Sequence, residues 1–146
     1  KCNKMALQAA IGIHQLARVE ANREIRLAIW ERYQSAFADL PLTLPAPIEE
    51  HERHSYHLFT VLVDEERCGI DRDKFLDGMT AQNIGVGVHY VSVPEHPSYR
   101  ERFGWEPRNW PHAARIGRTT VSLPLSPALT DEDVEDVIAA VRALVG

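Results

Sequence analysis

The residues best suited to chemistry lie in one stretch, Gly87-Val88-His89-Tyr90-Val91-Ser92-Val93-Pro94-Glu95-His96-Pro97-Ser98-Tyr99. Two imidazoles, two serine hydroxyls and two phenols follow the glycines at 85 and 87, and Pro94 and Pro97 stiffen the backbone that carries them. If the stretch leaves the end of a strand, His89, Tyr90 and His96 present donors and an aromatic face to a polar ligand such as a sugar. Alternatively Tyr90 and Tyr99 pack the loop, and composition does not separate the two readings.

Other chemistries fit less well. His51, His54 and His57 recur every third residue, but on a strand His54 and His57 point to opposite faces. No HExxH, paired cysteines or patterned carboxylates accompany them, so a structural or surface role outweighs metal binding and no metal site is expected. Ser92, His96 and an aspartate are the ingredients of a nucleophilic triad, yet no Gly-x-Ser-x-Gly elbow is present. Gly85 and Gly87 precede a strand instead of opening a helix, unlike a phosphate loop. No catalytic residue is assigned within this chain.

The elements that must position these groups follow from periodicity. From Leu7 to about Leu40 apolar residues recur at helical spacing, predicting one helix or two nearly continuous ones. About 34 helical residues span ~50 Å, whereas a compact chain of this size has a radius of gyration of ~15 Å, so the helix is expected to reach beyond its own domain. Pro41, Pro45 and Pro47 end it and give an extended linker. His57–Val63 reads as a strand apolar on both faces, Asp64–Gly69 as a turn, and Asp71 as the cap of a helix through Phe75, Leu76 and Met79. A second strand is predicted over Val86–Val91, then an irregular segment from Val93 to Pro111, a short helix near His112–Gly117 and a third strand over Thr119–Leu123. Thr130 with Asp133 opens a final helix with a stripe of Val134, Val137, Ile138, Val141 and Leu144. The fold class is therefore α+β: a long N-terminal helix over 1–40, a Pro-rich linker over 41–53, and a small domain over 54–146 whose mostly antiparallel sheet carries helices on one face.

Composition narrows the function classes. The 146 residues suffice for one domain, and 45% apolar content supports a core. A formal charge of −5 argues against nucleic acid as a partner, although basic residues gather between Arg100 and Arg118. Cys2 and Cys68 form no paired spacing, which suits a reducing compartment. No apolar stretch approaches the ~20 residues of a membrane span and no signal-peptide pattern stands out, so a soluble cytoplasmic protein is expected. The chain starts inside a helix without the usual introduction, which reads as the C-terminal piece of a larger protein.

Asn3, Met5, Leu7-Gln8-Ala9-Ala10-Ile11-Gly12 and Gln15-Leu16, then Tyr56-His57-Leu58-Phe59, Gly85-Val86-Gly87-Val88-His89-Tyr90, His96-Pro97 and Ser122-Leu123-Pro124-Leu125-Ser126-Pro127, occur in an order that resembles the C-terminal part of the DegT/DnrJ/EryC1/StrS family. These are pyridoxal-phosphate (PLP)-dependent sugar aminotransferases, with a large PLP domain joined by a long helix to a small α+β domain. The resemblance implies a parent enzyme that moves an amino group from a donor such as glutamate to a nucleotide-linked keto sugar, in a homodimer whose sites borrow residues across the interface. It implies that Asn3 donates to the PLP phosphate of the neighbouring subunit, and that His89, Tyr90 and His96 lie near the substrate sugar. The lysine that holds the cofactor lies upstream in such enzymes, so this chain is expected to be inactive alone. Two alternatives stay open: a PLP-dependent sugar dehydratase of the same family, and a non-catalytic α+β binding module.

Overall fold

The computed structural model describes residues 5–146. Its centre is an aromatic cluster that follows from the spacing of Trp30 and Tyr33 on one side of α2 (Val19–Ala36) and of Phe37 immediately after it. Their rings surround Phe59 of β1 (Phe59–Leu62) at centroid distances of 4.8, 5.2 and 6.3 Å, within the range where edge-to-face contacts are favourable. Tyr33 is 0% exposed, and its hydroxyl donates to the carbonyl of Pro124 at 3.0 Å. Burial pushes the Tyr33 phenol well above its ordinary value.

β1 pairs antiparallel with β2 (Thr120–Leu123), Phe59 opposite Leu123 and Leu62 opposite Thr120. Alternation sends Phe59, Val61, Val121 and Leu123 to one face, where α2, α4 (Arg72–Ala81) and α7 (Asp131–Val145) supply the rest of the core. The α+β class with helices on the core face of an antiparallel sheet is thus what the chain adopts. Single antiparallel bridges widen the sheet at both edges, Thr43 to Leu62 and Gly87 to Ser122. The 41–53 segment accordingly contributes more than a connection, since Leu42 is buried and Thr43 pairs with the sheet.

Local signals account for most helix boundaries. The Asp71 carboxylate accepts from the Lys74 amide at the start of α4. Thr130 and Asp133 form a reciprocal capping box on α7, with Val134, Val137 and Val141 buried. Arg142 holds the other end of α7 to Asp39 through two bonds of 2.9 and 2.7 Å, and Arg32 reaches Asp131 and Glu135.

Four sequence expectations are corrected. Of the one helix or two nearly continuous ones expected, the chain forms two, α1 (Ala6–Ala17) and α2, separated at Arg18; the expected end near Leu40 is corrected, because α2 stops at Ala36 as Phe37 leaves helical geometry and enters the core. No residue of α1 is buried, and Leu16 is 72% exposed. The turn at 64–69 contains one helical turn, α3 (Glu65–Cys68), closed by Gly69 at φ 72°. β1 is covered less evenly than expected: Phe59 and Val61 are buried while Thr60 and Leu62 are half-buried. The predicted strand at 86–91 makes only the Gly87 bridge. In that antiparallel register residue 85 would oppose Pro124, which has no amide to donate, so the ladder does not extend in that direction.

Truncating the hub ring should therefore be costly. Phe59→Ala is expected to lower stability by about 3–5 kcal/mol, whereas Tyr33→Phe, which removes one buried hydrogen bond, should cost about 1 kcal/mol. Urea unfolding of both variants checks the order, and equal losses would contradict a packing-dominated hub.

Candidate functional site

The site begins with the alternation of β2. Val121 and Leu123 face the core, so Ser122 faces the other side, and only there can its hydroxyl meet a group from the following layer. The Gly87 bridge brings that group. Gly87 and Ser122 exchange both backbone hydrogen bonds, at 3.1 and 2.8 Å, and two residues later the His89 ring turns back so that Nδ1 lies 2.9 Å from Ser122 Oγ. A Cβ at 87 would stand 2.9 Å from His89 Cε1, so a side chain there would displace the ring from Ser122. The tautomer sets the direction of this bond: in the neutral form protonated on Nε2, the serine hydroxyl donates to Nδ1 and Nε2–H can donate elsewhere.

Tyr90 packs edge-on against His89, with ring centroids 4.8 Å apart, and is 73% exposed. His96 is also exposed and stands immediately before α5 (Pro97–Phe103), where its side chain caps no amide. The three predicted residues thus share one surface loop, but only His89 and Tyr90 are in ring contact. Helix α5 occupies part of the segment expected to be irregular, started by Pro97 and stopped by Gly104 at φ 64°.

Beneath the loop lies a polar network that the sequence reading missed. The buried Ser92 hydroxyl donates to Glu95 Oε2 at 2.6 Å, and Arg118 Nε donates to Glu95 Oε1 at 2.7 Å. Arg118 belongs to α6 (Pro111–Thr119), and the same helix places Gly117 against Ser92, so closely that a Cβ would sit 2.6 Å from the Ser92 amide nitrogen. Burial pushes the Glu95 carboxyl up, yet the bonds from Ser92 and Arg118 and the charges of Arg118 and Arg72 outweigh it and hold the group below the ordinary 4.5. Ser92 is therefore committed to Glu95, which removes it from the triad considered above. A serine followed three residues later by a carboxylate was the available signal, and the arginine partner carried none.

The other histidines have separate surroundings. The ring of His54 packs on Trp30 and Tyr56 and accepts the Tyr56 amide at 3.1 Å, His51 lies 3.5 Å from Glu49, and His57 is exposed. Among the described residues no three metal-ligating side chains cluster. Asn3 lies outside the described residues.

The Glu95 network sets a pH dependence. A carboxyl with a lowered folded pKa stabilises fully above its unfolded value of 4.5, and that contribution disappears as pH falls through the folded value. Glu95→Gln should therefore lower the melting temperature at pH 7 and lose less than the parent chain between pH 5 and pH 3. Parallel melting curves for the two proteins across that range would rule the network out as a stabiliser.

With this geometry in view, comparison with known proteins is direct. The profile described as the DegT/DnrJ/EryC1/StrS aminotransferase family matches residues 2–142. The spore coat polysaccharide biosynthesis protein SpsC of Bacillus subtilis (strain 168) is 39% identical over 146 residues, covering 99% of this chain and 38% of that protein. Spr1654 of Streptococcus pneumoniae, an assigned sugar aminotransferase solved in apo, PMP and PLP forms, superposes with a TM-score of 0.89 at 28% identity, over 99% of this chain and 36% of that one. DesV of S. venezuelae gives 0.82 at 30% identity, covering 93% of this chain and 35% of that one. The chain thus spans little more than a third of the length of these relatives, and it belongs to the DegT/DnrJ/EryC1/StrS aminotransferase family.

Proposed function

We propose that this chain is the C-terminal portion of a PLP-dependent aminotransferase that acts on a nucleotide-linked keto sugar, with its amino group taken from an amino acid such as glutamate. The family match over residues 2–142 carries this reading. The share of the relatives' length that the chain spans, and the PLP and PMP forms of Spr1654, support it.

When bound, the cofactor supplies an electron sink. The described residues do not fit its covalent seat. Lys74 is exposed on α4, and its hydrogen bond to Asp71 at 3.0 Å raises its pKa, whereas a nucleophilic lysine needs the opposite shift. In this reading the lysine belongs to the part of the parent outside this chain, and Asn3 offers its amide to the cofactor phosphate of a neighbouring subunit in a homodimer. Residues 1–40 join the small domain 54–146 to the PLP domain, with 41–53 between them. The sugar side of the site is assigned to His89, Tyr90 and His96. Ser122 fixes the His89 ring, so that Nε2 is oriented before a sugar hydroxyl or carbonyl arrives. A cytoplasmic location is part of the proposal, and no helix is long and apolar enough to cross a membrane.

Added PLP should leave the isolated chain without a protein-bound cofactor band and without transamination. A stable band abolished by substitution of Lys74 would overturn the missing-lysine part of the proposal. In the parent enzyme, His89→Ala or Tyr90→Phe should lower kcat/KM for the sugar about tenfold, the loss of one hydrogen bond of ~1.4 kcal/mol, with an unchanged cofactor spectrum. Normal sugar kinetics combined with a lower melting temperature would make these side chains loop packing instead.

A further inference from the structure

The candidate site uses none of the histidines at 51, 54 and 57, yet one of them makes a bond that only a neutral ring can make. His54 stands where the segment before β1 meets α2. Its Nδ1 accepts the backbone N–H of Tyr56 at 3.1 Å, a local bond between residues two apart. An amide nitrogen can only donate, so Nδ1 carries no proton in this arrangement. Tyr56 depends on that bond more than most residues would. Its φ is 49°, in the left-handed region that a bulky side chain adopts only when its surroundings enforce it.

Burial is what Tyr56 gains from this conformation. Its ring packs edge-on against Trp30 at 5.3 Å and against His54 at 4.9 Å, and Trp30 meets the His54 ring at 5.2 Å. Through Trp30 these rings continue into the hub at Phe59. The charged groups that α2 brings here are mainly cationic. Arg23 Nε donates to the His54 carbonyl at 2.9 Å with its guanidinium 5.2 Å from the centre of the Tyr56 ring, and Arg26 donates to the Ser55 carbonyl. Glu20 of α2 is paired with Arg53, and Glu49 lies beside His51 at 3.5 Å. Glu50, Glu52 and His57 are exposed, and among the described residues no carboxylate lies within 4 Å of His54. A protonated ring would therefore lose the Tyr56 bond, set two donors against each other and find no counter-ion.

From these contacts we propose that His54 is a proton-operated latch, which when neutral holds Tyr56 against α2 and when protonated releases it. Arg23 and Arg26 keep their carbonyl partners in both states, so the release is local. Tyr56 leaves its left-handed conformation and its ring parts from Trp30, while the strands, α4 and α7 stay packed. The effect reaches a groove of about 310 Å3 between α2 and the proline-containing segment, lined by Leu27, Trp30, Pro45, Pro47, Ile48 and Tyr56 among others. Tyr56 forms part of its wall, and its departure opens the groove to solvent. An imidazole changes charge between about pH 5 and pH 8, so the latch responds to mild acid. It rests on these contacts alone and is independent of the function proposed above.

Amide hydrogen exchange of the isotope-labelled chain, read residue by residue by NMR and corrected for intrinsic exchange rates, tests the latch. The ring protons of His54 report its charge in the same samples. Between about pH 8 and about pH 5, protection of the Tyr56 amide is expected to fall about tenfold, the loss of one hydrogen bond, in step with protonation of the His54 ring. Val63, whose amide donates to the Thr119 carbonyl at 2.9 Å, should keep its protection throughout. His54→Asn separates the latch from packing, because its side-chain carbonyl can accept the Tyr56 amide but does not titrate. Protection in that variant should be the same at both ends of the range, whereas His54→Leu, with no acceptor, should leave Tyr56 poorly protected at both. A Tyr56 amide that stays protected while His54 becomes charged overturns the latch. So does a His54 ring that stays neutral over the whole range, or an equal loss of protection in His54→Asn.

Discussion

The packing of Phe59 among Trp30, Tyr33 and Phe37 is the contact on which the other layers depend. It ties α2 to β1 across the proline-containing segment, and closing that loop costs entropy that only extensive apolar burial offsets. Tyr33 adds a second tie, to Pro124 beyond β2, between residues 91 positions apart. With α2 and both strands held, α7 has a surface on which to lay its valines, and Arg32 and Arg142 set its direction through carboxylates at each end. These exposed ion pairs add orientation more than stability, because water screens them.

The same sheet explains why the candidate site lies where it does. A two-stranded ladder has a core face and a second face, and the chain uses the second for polar work. Ser122 anchors His89 through its side chain and Gly87 through its backbone, so one residue sets both the path of the loop and the orientation of the imidazole. Glu95 fixes the next turn from below by joining Ser92 to Arg118. A loop held at two such points exposes Tyr90 and His96 with little freedom left in the backbone that carries them, which reduces the entropy lost when a ligand binds.

Charge is distributed in keeping with this layout. Acidic residues concentrate at the start of α7, with Asp131, Glu132 and Asp133 favoured by the helix dipole. Basic residues concentrate on α6, the element that supports the loop from the other side.

Several features were legible in the residues alone. The caps at Asp71 and Thr130, the valine stripe of α7 and the two core strands are written in patterns that act over four residues or fewer, so local chemistry determined them. Pro97 and Gly104 bracketed α5 in the same way, although the aromatic content of the segment masked the signal. The candidate loop, too, was visible as a cluster of histidines, tyrosine and proline. Its support was not. Ser122 lies 33 residues from His89 and Arg118 lies 23 from Glu95, and no period or cap links such positions. The end of α2 at Ala36 likewise came from distant partners, the core that takes in Phe37. Local pattern determined which helices and core strands form; only the tertiary structure decided which side chains meet, because the interactions that orient a site are made between segments that sequence distance keeps apart.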